Sequence, residues 1–252
     1  MEFLRIKFKI VFLTCFLFLL FFGIVGCKSE GFKKWQGLSA EELSWQGLSC
    51  LLYENKTAVK SGERKLIVLF HPAGSSGSDY VERWEPLLKE IAALVIAPTA
   101  DQEHPYSSPQ FETKFLQLVQ DVSSRYKIDV SSKYLIGESN GAIYGYRFLA
   151  SHPNFFKAAV LISGALDQQT VTQFEKNPAV SQAAILIVHG TEDQVFRIDI
   201  TRKEVEYLKK LGFRVDFKEI KGMGHGADIF AEDEIVEWIK SFSQSSKASK
   251  FN

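Results

Sequence analysis

Cysteine is scarce in this chain. Cys15, Cys27 and Cys50 are the only three, so no dense disulfide framework holds the fold and an apolar core must do so. Net charge is also missing. Thirty Lys and Arg face thirty Asp and Glu, which excludes a polybasic nucleic-acid binder. The apolar run over 10–25 has 16 residues, short of the ~20 that a membrane span needs. The phosphate-loop pattern G-x-x-x-x-G-K-[ST] is absent, so the Gly/Ser-rich stretch 71–77 carries no such signature. At 46% hydrophobic and 24% charged residues, the composition is neither that of a disordered chain nor that of a collagen.

Phenylalanine is present in plenty but unevenly placed: 7 of the 21 fall in the first 22 residues. Arg5, Lys7 and Lys9 form a basic start, and the apolar run behind them is close to the roughly 7–15 residues of a signal-peptide core. It ends in Ile24-Val25-Gly26-Cys27, followed by Lys28-Ser29-Glu30. These residues resemble the lipobox of bacterial lipoproteins. The resemblance implies cleavage before Cys27, diacylglycerol on its thiol and a fatty acyl chain on its new amino group. The protein would then be held at the bacterial cell envelope through lipid on Cys27, since several acyl chains anchor stably where one is marginal. Lys28, directly after the Cys, resembles members that travel on to the outer membrane or cell surface. The expected organisation is a signal peptide over 1–26, a lipidated tether over 27–46, a folded domain over 47–244 and a frayed Ser/Lys-rich tail over 245–252. The string Trp-Gln-Gly-Leu-Ser occurs at 35–39 and again at 45–49, too few copies for a repeat fold. Cys50 lies in a strand-like segment and reads as a buried structural thiol rather than a nucleophile.

Within the expected domain, apolar runs of strand length occupy 65–70, 93–97, 134–136, 158–162, 184–188 and 215–220. Continuous Val- and Ile-rich runs suit parallel strands buried on both faces. Helical periodicity appears between them, as in Tyr80, Trp84, Leu87, Leu88 and Ile91, and in Ile235, Trp238, Ile239 and Phe242. This alternation predicts an α/β fold with a doubly wound, mostly parallel sheet.

The run 134–136 enters Gly137-Glu138-Ser139-Asn140-Gly141 and then a helical stretch. This is G-x-S-x-G in a strand–turn–helix setting, where the serine hydroxyl stands exposed above the sheet. A serine needs a base, and the base an orienting carboxylate. His225, in the glycine-rich loop 222–226 after the last strand, is the expected base. His71 and His189 end strands and read as loop organisers; His104 and His152 read as surface residues. Asp193, after the run 184–188, is the expected acid, with Glu192 and Asp167 as competitors. Asp228 reads as a solvated loop charge. An oxyanion requires backbone donors, worth about 2.7–4 kcal/mol for one contact. The candidates are the N–H of Asn140 and that of Ala73, with Gly74 as the alternative to Ala73.

Together these residues resemble the α/β-hydrolase superfamily of serine esterases. His189-Gly190-Thr191-Glu192-Asp193-Gln194-Val195 and Gly222-Met223-Gly224-His225-Gly226 are similar to the carboxylesterase/phospholipase and dienelactone-hydrolase-like groups. Gly137–Gly141 with the His71 loop is similar to the polyhydroxybutyrate-depolymerase and feruloyl-esterase-like group. Pro72 stands where many of these families have glycine and removes a backbone donor. The resemblance implies ester hydrolysis through an acyl-enzyme by Ser139, His225 and Asp193, without metal or cofactor. Its substrate would be a small-molecule or polymer-end ester, with no nucleic-acid partner. Only about twenty residues separate Ser163 from the next strand, too few for a sizeable lid domain. Trp84, Tyr106, Phe111 and Phe196 either line a substrate pocket or pack the core. Competing readings are a serine peptidase or thioesterase with the same triad, and a non-catalytic binding lipoprotein.

The anchoring expectation has a direct test. Cys27→Ala should block signal processing and incorporation of radiolabelled fatty acid; normal maturation of that variant would refute it.

Overall fold

The computed structural model describes residues 28–29, 39–54, 65–91, 93–102, 105–128, 130–176, 183–226 and 232–248. Cys27, His104 and Asp228 lie outside them. Nine strands are described: β1 (Lys28–Ser29), β2 (Ser39–Trp45), β3 (Leu48–Glu54), β4 (Lys65–Phe70), β5 (Ala93–Pro98), β6 (Lys133–Glu138), β7 (Ala158–Ile162), β8 (Ala184–Gly190) and β9 (Val215–Ile220). They form one sheet in the order β1-β2-β3-β5-β4-β6-β7-β8-β9. From β5 to β9 every neighbouring pair is parallel. The three strands at the β1 edge pair antiparallel.

Six helices cover the two faces: α1 (Gly77–Leu88), α2 (Pro109–Tyr126), α3 (Asn140–Ser151), α4 (Gln168–Lys176), α5 (Ile198–Lys210) and α6 (Glu232–Ala248). Strand side chains alternate between faces. Leu66, Val68 and Phe70 of β4 therefore join a core with Phe115 of α2, Phe148 of α3 and Leu208 of α5. Ile67 and Leu69 of the same strand join a second core with Trp84 of α1 and Ile239 of α6. Both faces of the central strands are buried, which is why those strands read as unbroken apolar runs. The doubly wound architecture is the expected one. Between β7 and β8 the described residues form a short loop and α4, and among the described residues no large lid is seen.

Two boundaries differ from the sequence expectation. The tether expected over 27–46 contains sheet: β1 pairs with Leu43 and Ser44, and β2 pairs with β3 along its whole length, Ser39 opposite Glu54 and Trp45 opposite Leu48. Gln46 (φ 50°) and Gly47 (φ 84°) close this hairpin. Positive φ at both central residues matches the twist of paired strands. The second Trp-Gln-Gly-Leu-Ser copy is therefore a hairpin turn; part of the first lies outside the described residues. The tail expected over 245–252 also changes, since α6 continues to Ala248. No Gly or Pro follows Phe242 to stop it. Among the described residues no helix is long and apolar enough to cross a membrane.

A half-buried carboxylate stands beside the loop that follows β7. Glu204 of α5 accepts the Leu166 N–H at 2.9 Å, while its other oxygen is buried without a hydrogen-bond partner. Burial pushes this carboxyl up to about 6, against the opposing effect of the Leu166 N–H. The folded state thus binds the proton more tightly than the unfolded chain. Ionisation weakens the fold above pH ~6, and this penalty disappears as pH falls below ~4.5. Glu204→Gln keeps the acceptor and removes the charge. It should raise Tm at pH 8, with the gain gone at pH 4.5 by differential scanning calorimetry; equal Tm values at pH 8 would contradict this.

Candidate active site

The site is built where β6 turns into α3. Ser139 occupies this turn at φ 52° and ψ −115°, a region that L-residues adopt only when their surroundings hold them there. Two glycines make the turn possible. A Cβ on Gly137 would lie 2.7 Å from the Gly141 carbonyl oxygen, and one on Gly141 would lie 2.0 Å from that of Phe70. Strand and helix backbones can therefore touch. The Ser139 N–H donates to the Ile162 carbonyl of β7 at 2.9 Å. The Ser139 side chain remains accessible to solvent, and Asn140 is exposed at the first position of α3.

The structure joins the three expected side chains in one hydrogen-bonded chain. Ser139 Oγ lies 2.8 Å from His225 Nε2, and His225 Nδ1 lies 2.9 Å from Asp193 Oδ2. A carboxylate only accepts, so Nδ1 carries the proton and Nε2 is free to accept from the serine. Asp193 follows β8 and is buried. Burial opposes its ionisation, but the Phe196 N–H, the His225 imidazole and the Val195 N–H together hold its carboxyl below the usual carboxylate value. The two N–H groups reach Oδ1 at 2.9 and 2.8 Å.

The loop carrying the acid is tied to the loop carrying the base. The Glu192 N–H donates to the Met223 carbonyl at 3.0 Å, and the Gly222 N–H to Thr191 Oγ1 at 2.9 Å. A Cβ on Gly190 would stand 2.1 Å from the Met223 oxygen. The competitors for the acid have other partners or positions. Glu192 is exposed. Asp167 caps α4, accepting the Thr170 N–H at 2.7 Å and its hydroxyl at 2.8 Å, and it also pairs with Arg147.

His71 and His189 organise loops, and His152, expected at the surface, is half-buried at the end of α3. His71 is buried; its Nδ1 donates to the Pro72 carbonyl at 2.8 Å and its Nε2 accepts the Ala100 N–H at 2.9 Å. Burial pushes its pKa down. His189 Nε2 donates to the Phe196 carbonyl at 2.7 Å and also lies 3.2 Å from Asp193 Oδ2. That second contact was not evident from the sequence, although its place at the end of β8 was. His152 pairs with Glu112 at 3.0 Å.

Ala73 sits exposed in a tight turn in which the Ser75 N–H donates to the Pro72 carbonyl at 3.3 Å. Gly74 takes φ 78° there. This loop begins at the Phe70 and His71 carbonyls, which press on Gly141, so it starts beside the turn that holds Ser139 and Asn140. Of the four aromatic candidates, Trp84, Tyr106 and Phe111 are buried in the core. Phe196 is half-buried, with its ring edge-on to His225 at 5.5 Å between centroids. Cys50 is buried, and its thiol donates to the Leu51 carbonyl at 3.5 Å. Among the described residues, no three His, Cys, Asp or Glu converge as metal ligands do.

Asp193 couples the site to stability. Its depressed folded pKa stabilises the protein above the unfolded value of ~3.9, and that contribution is lost as pH falls through the folded pKa. Asp193→Asn should therefore melt below the wild type from pH 5 to pH 8, with the gap closing below about pH 4. A gap independent of pH would contradict this.

Comparison with known proteins places the chain in a family. A family profile described as phospholipase/carboxylesterase matches residues 97–243, more than half of the chain. An acyl-protein thioesterase 1 of Candida albicans is 27% identical over 128 residues, 49% of this chain and 54% of that protein. The matched stretches span little more than half the length of the curated relatives. An S-formylglutathione hydrolase of Staphylococcus aureus superposes with a TM-score of 0.66 at 15% identity, covering 86% of this chain and 99% of that one. A Bacillus cereus carboxylesterase gives 0.60 at 16% identity, covering 77% and 94%. At such identities the structural likeness is one of fold. By the match of its own sequence, the chain belongs to the phospholipase/carboxylesterase family of α/β-hydrolases.

Proposed function

We propose that the protein is a serine-dependent carboxylic-ester hydrolase, held at the cell envelope by lipid on Cys27. The observation that carries the catalytic part is the unbroken chain from Ser139 Oγ through His225 to buried Asp193. In this reading Ser139 Oγ attacks the ester carbonyl while His225 Nε2 takes its proton. The Asn140 and Ala73 N–H groups stabilise the oxyanion. Collapse of the tetrahedral intermediate breaks the bond to the leaving alcohol, which receives the proton from His225. Water, activated by the same imidazole, then releases the acid and restores Ser139. Asp193 stays ionised throughout and stabilises the imidazolium.

The alcohol leaves next to the imidazole, where Phe196 packs against His225 and the adjoining Val195 is 61% exposed; Gln194 and Arg197 are exposed on either side. A thioester reading uses the same chemistry, with a thiol as leaving group, and is favoured by the thioesterase name of the Candida albicans relative. Nitrophenyl esters and acyl thioesters assayed side by side separate the two.

Ser139→Ala should lower kcat by at least about 10⁴-fold and abolish labelling by a fluorophosphonate probe. Undiminished turnover of the ester panel by this variant would overturn the reading.

A further inference from the structure

Ser163 stands at the end of β7, directly after the residue that receives the Ser139 N–H. It is fully buried and takes φ 47°, a conformation in which a non-glycine residue is uncommon unless its surroundings fix it. Its own N–H donates to the Val188 carbonyl of β8 at 2.9 Å. Its hydroxyl is used twice on one distant residue. Ser163 Oγ accepts the Gly226 N–H at 3.2 Å and donates to the Gly226 carbonyl at 3.3 Å. Gly226 is the residue after His225 and lies 63 positions away in sequence.

Gly226 is also confined from another side. It takes φ 106°, and a Cβ there would lie 3.0 Å from Glu138 Oε1. That oxygen is held by Arg83 Nη1 at 3.1 Å. A side chain here would crowd that carboxylate and strain the backbone, which favours glycine, and the Ser163 hydroxyl holds its peptide groups.

The consequence is geometric. The nucleophile is fastened through its backbone to Ile162, and the base is fastened through Gly226 to Ser163. These are consecutive residues of one strand end. The two ends of the 2.8 Å Ser139–His225 bond thus share a single support. The acid reaches it as well, because Val188, which holds the Ser163 N–H, belongs to the strand that leads to Asp193. We infer that Ser163 is a positioning residue for the reaction: its hydroxyl clamps Gly226 and so sets the distance from His225 Nε2 to Ser139 Oγ. This rests on the hydrolase reading above.

The test compares Ser163→Ala and Ser163→Gly in the full chain, solubilised in detergent. Alanine removes the hydroxyl and keeps the backbone constraint. Glycine removes the hydroxyl and relieves the positive φ, so it guards against a merely strained, unfolded variant. Both should lower kcat roughly 10- to 100-fold, the scale of an ångström-sized misplacement, with KM changed less than about two-fold. Fluorophosphonate labelling should slow in the same proportion. The low-field NMR resonance of the His225 Nδ1 proton should shift or broaden in both, while circular dichroism stays that of the folded protein. Wild-type kcat in either folded variant, a rise in KM alone, or loss of folding in both would overturn the positioning role. Ser139→Ala serves as the control: if it is inactive while the Ser163 variants are fully active, only this inference fails; if it is itself fully active, the hydrolase reading fails first.

Discussion

The close passage of β6 and α3 at Ser139 is the constraint on which the other features depend. A residue at φ 52° and ψ −115° between a strand and a helix requires the two backbones to meet at contact distance. Gly137 and Gly141 permit this because neither position has room for a methyl group. The same contact presses α3 against the end of β4, and so brings the His71 loop beside the nucleophile. The hydrogen bond from Ser139 to Ile162 then locks the turn to β7. One strained serine thus ties the ends of three adjacent strands into a single rim.

Across that rim stands a second rigid body, made of the loops after β8 and β9. Its centre is Asp193, a buried carboxylate whose desolvation is offset by the N–H groups of Val195 and Phe196 and by two imidazoles. These contacts leave Asp193 no freedom to turn, and so fix His225 in one tautomer and one plane. The Thr191–Gly222 and Glu192–Met223 bonds make acid and base move together. The junction between the two bodies is spanned by the Ser139–His225 bond and, below it, by the clamp of Ser163 on Gly226.

Much of the fold was legible because burial on both faces makes the central strands uniformly apolar. β4, β6, β7 and β8 stand out in any reading of the chain for that reason. β2 did not, since half-buried Glu41, Glu42 and Ser44 interrupt its buried Ala40, Leu43 and Trp45. Its hairpin depends on Gln46 and Gly47 adopting positive φ, a choice that pairing with β3 favours and that the local string does not announce. The last helix outran its apolar periodicity for a similar reason: Ser and Lys are compatible with a helix but do not mark one.

The sequence by itself singled out Ser139 as the candidate nucleophile, through a motif whose glycines have meaning only between a strand and a helix, and it gave the order in which the serine, acid and base candidates follow along the chain. It favoured Asp193 as the acid from its place after the run 184–188, with Glu192 and Asp167 as competitors. The tertiary structure decided among the three, because only the pairing of β8 with β9 puts Asp193 behind His225, while Asp167 spends its oxygens on α4 and Arg147. It alone also brought Ser163 to Gly226. A hydroxyl and a glycine 63 residues apart share no local pattern, and their contact exists only once the strand ends are brought to one edge of the sheet.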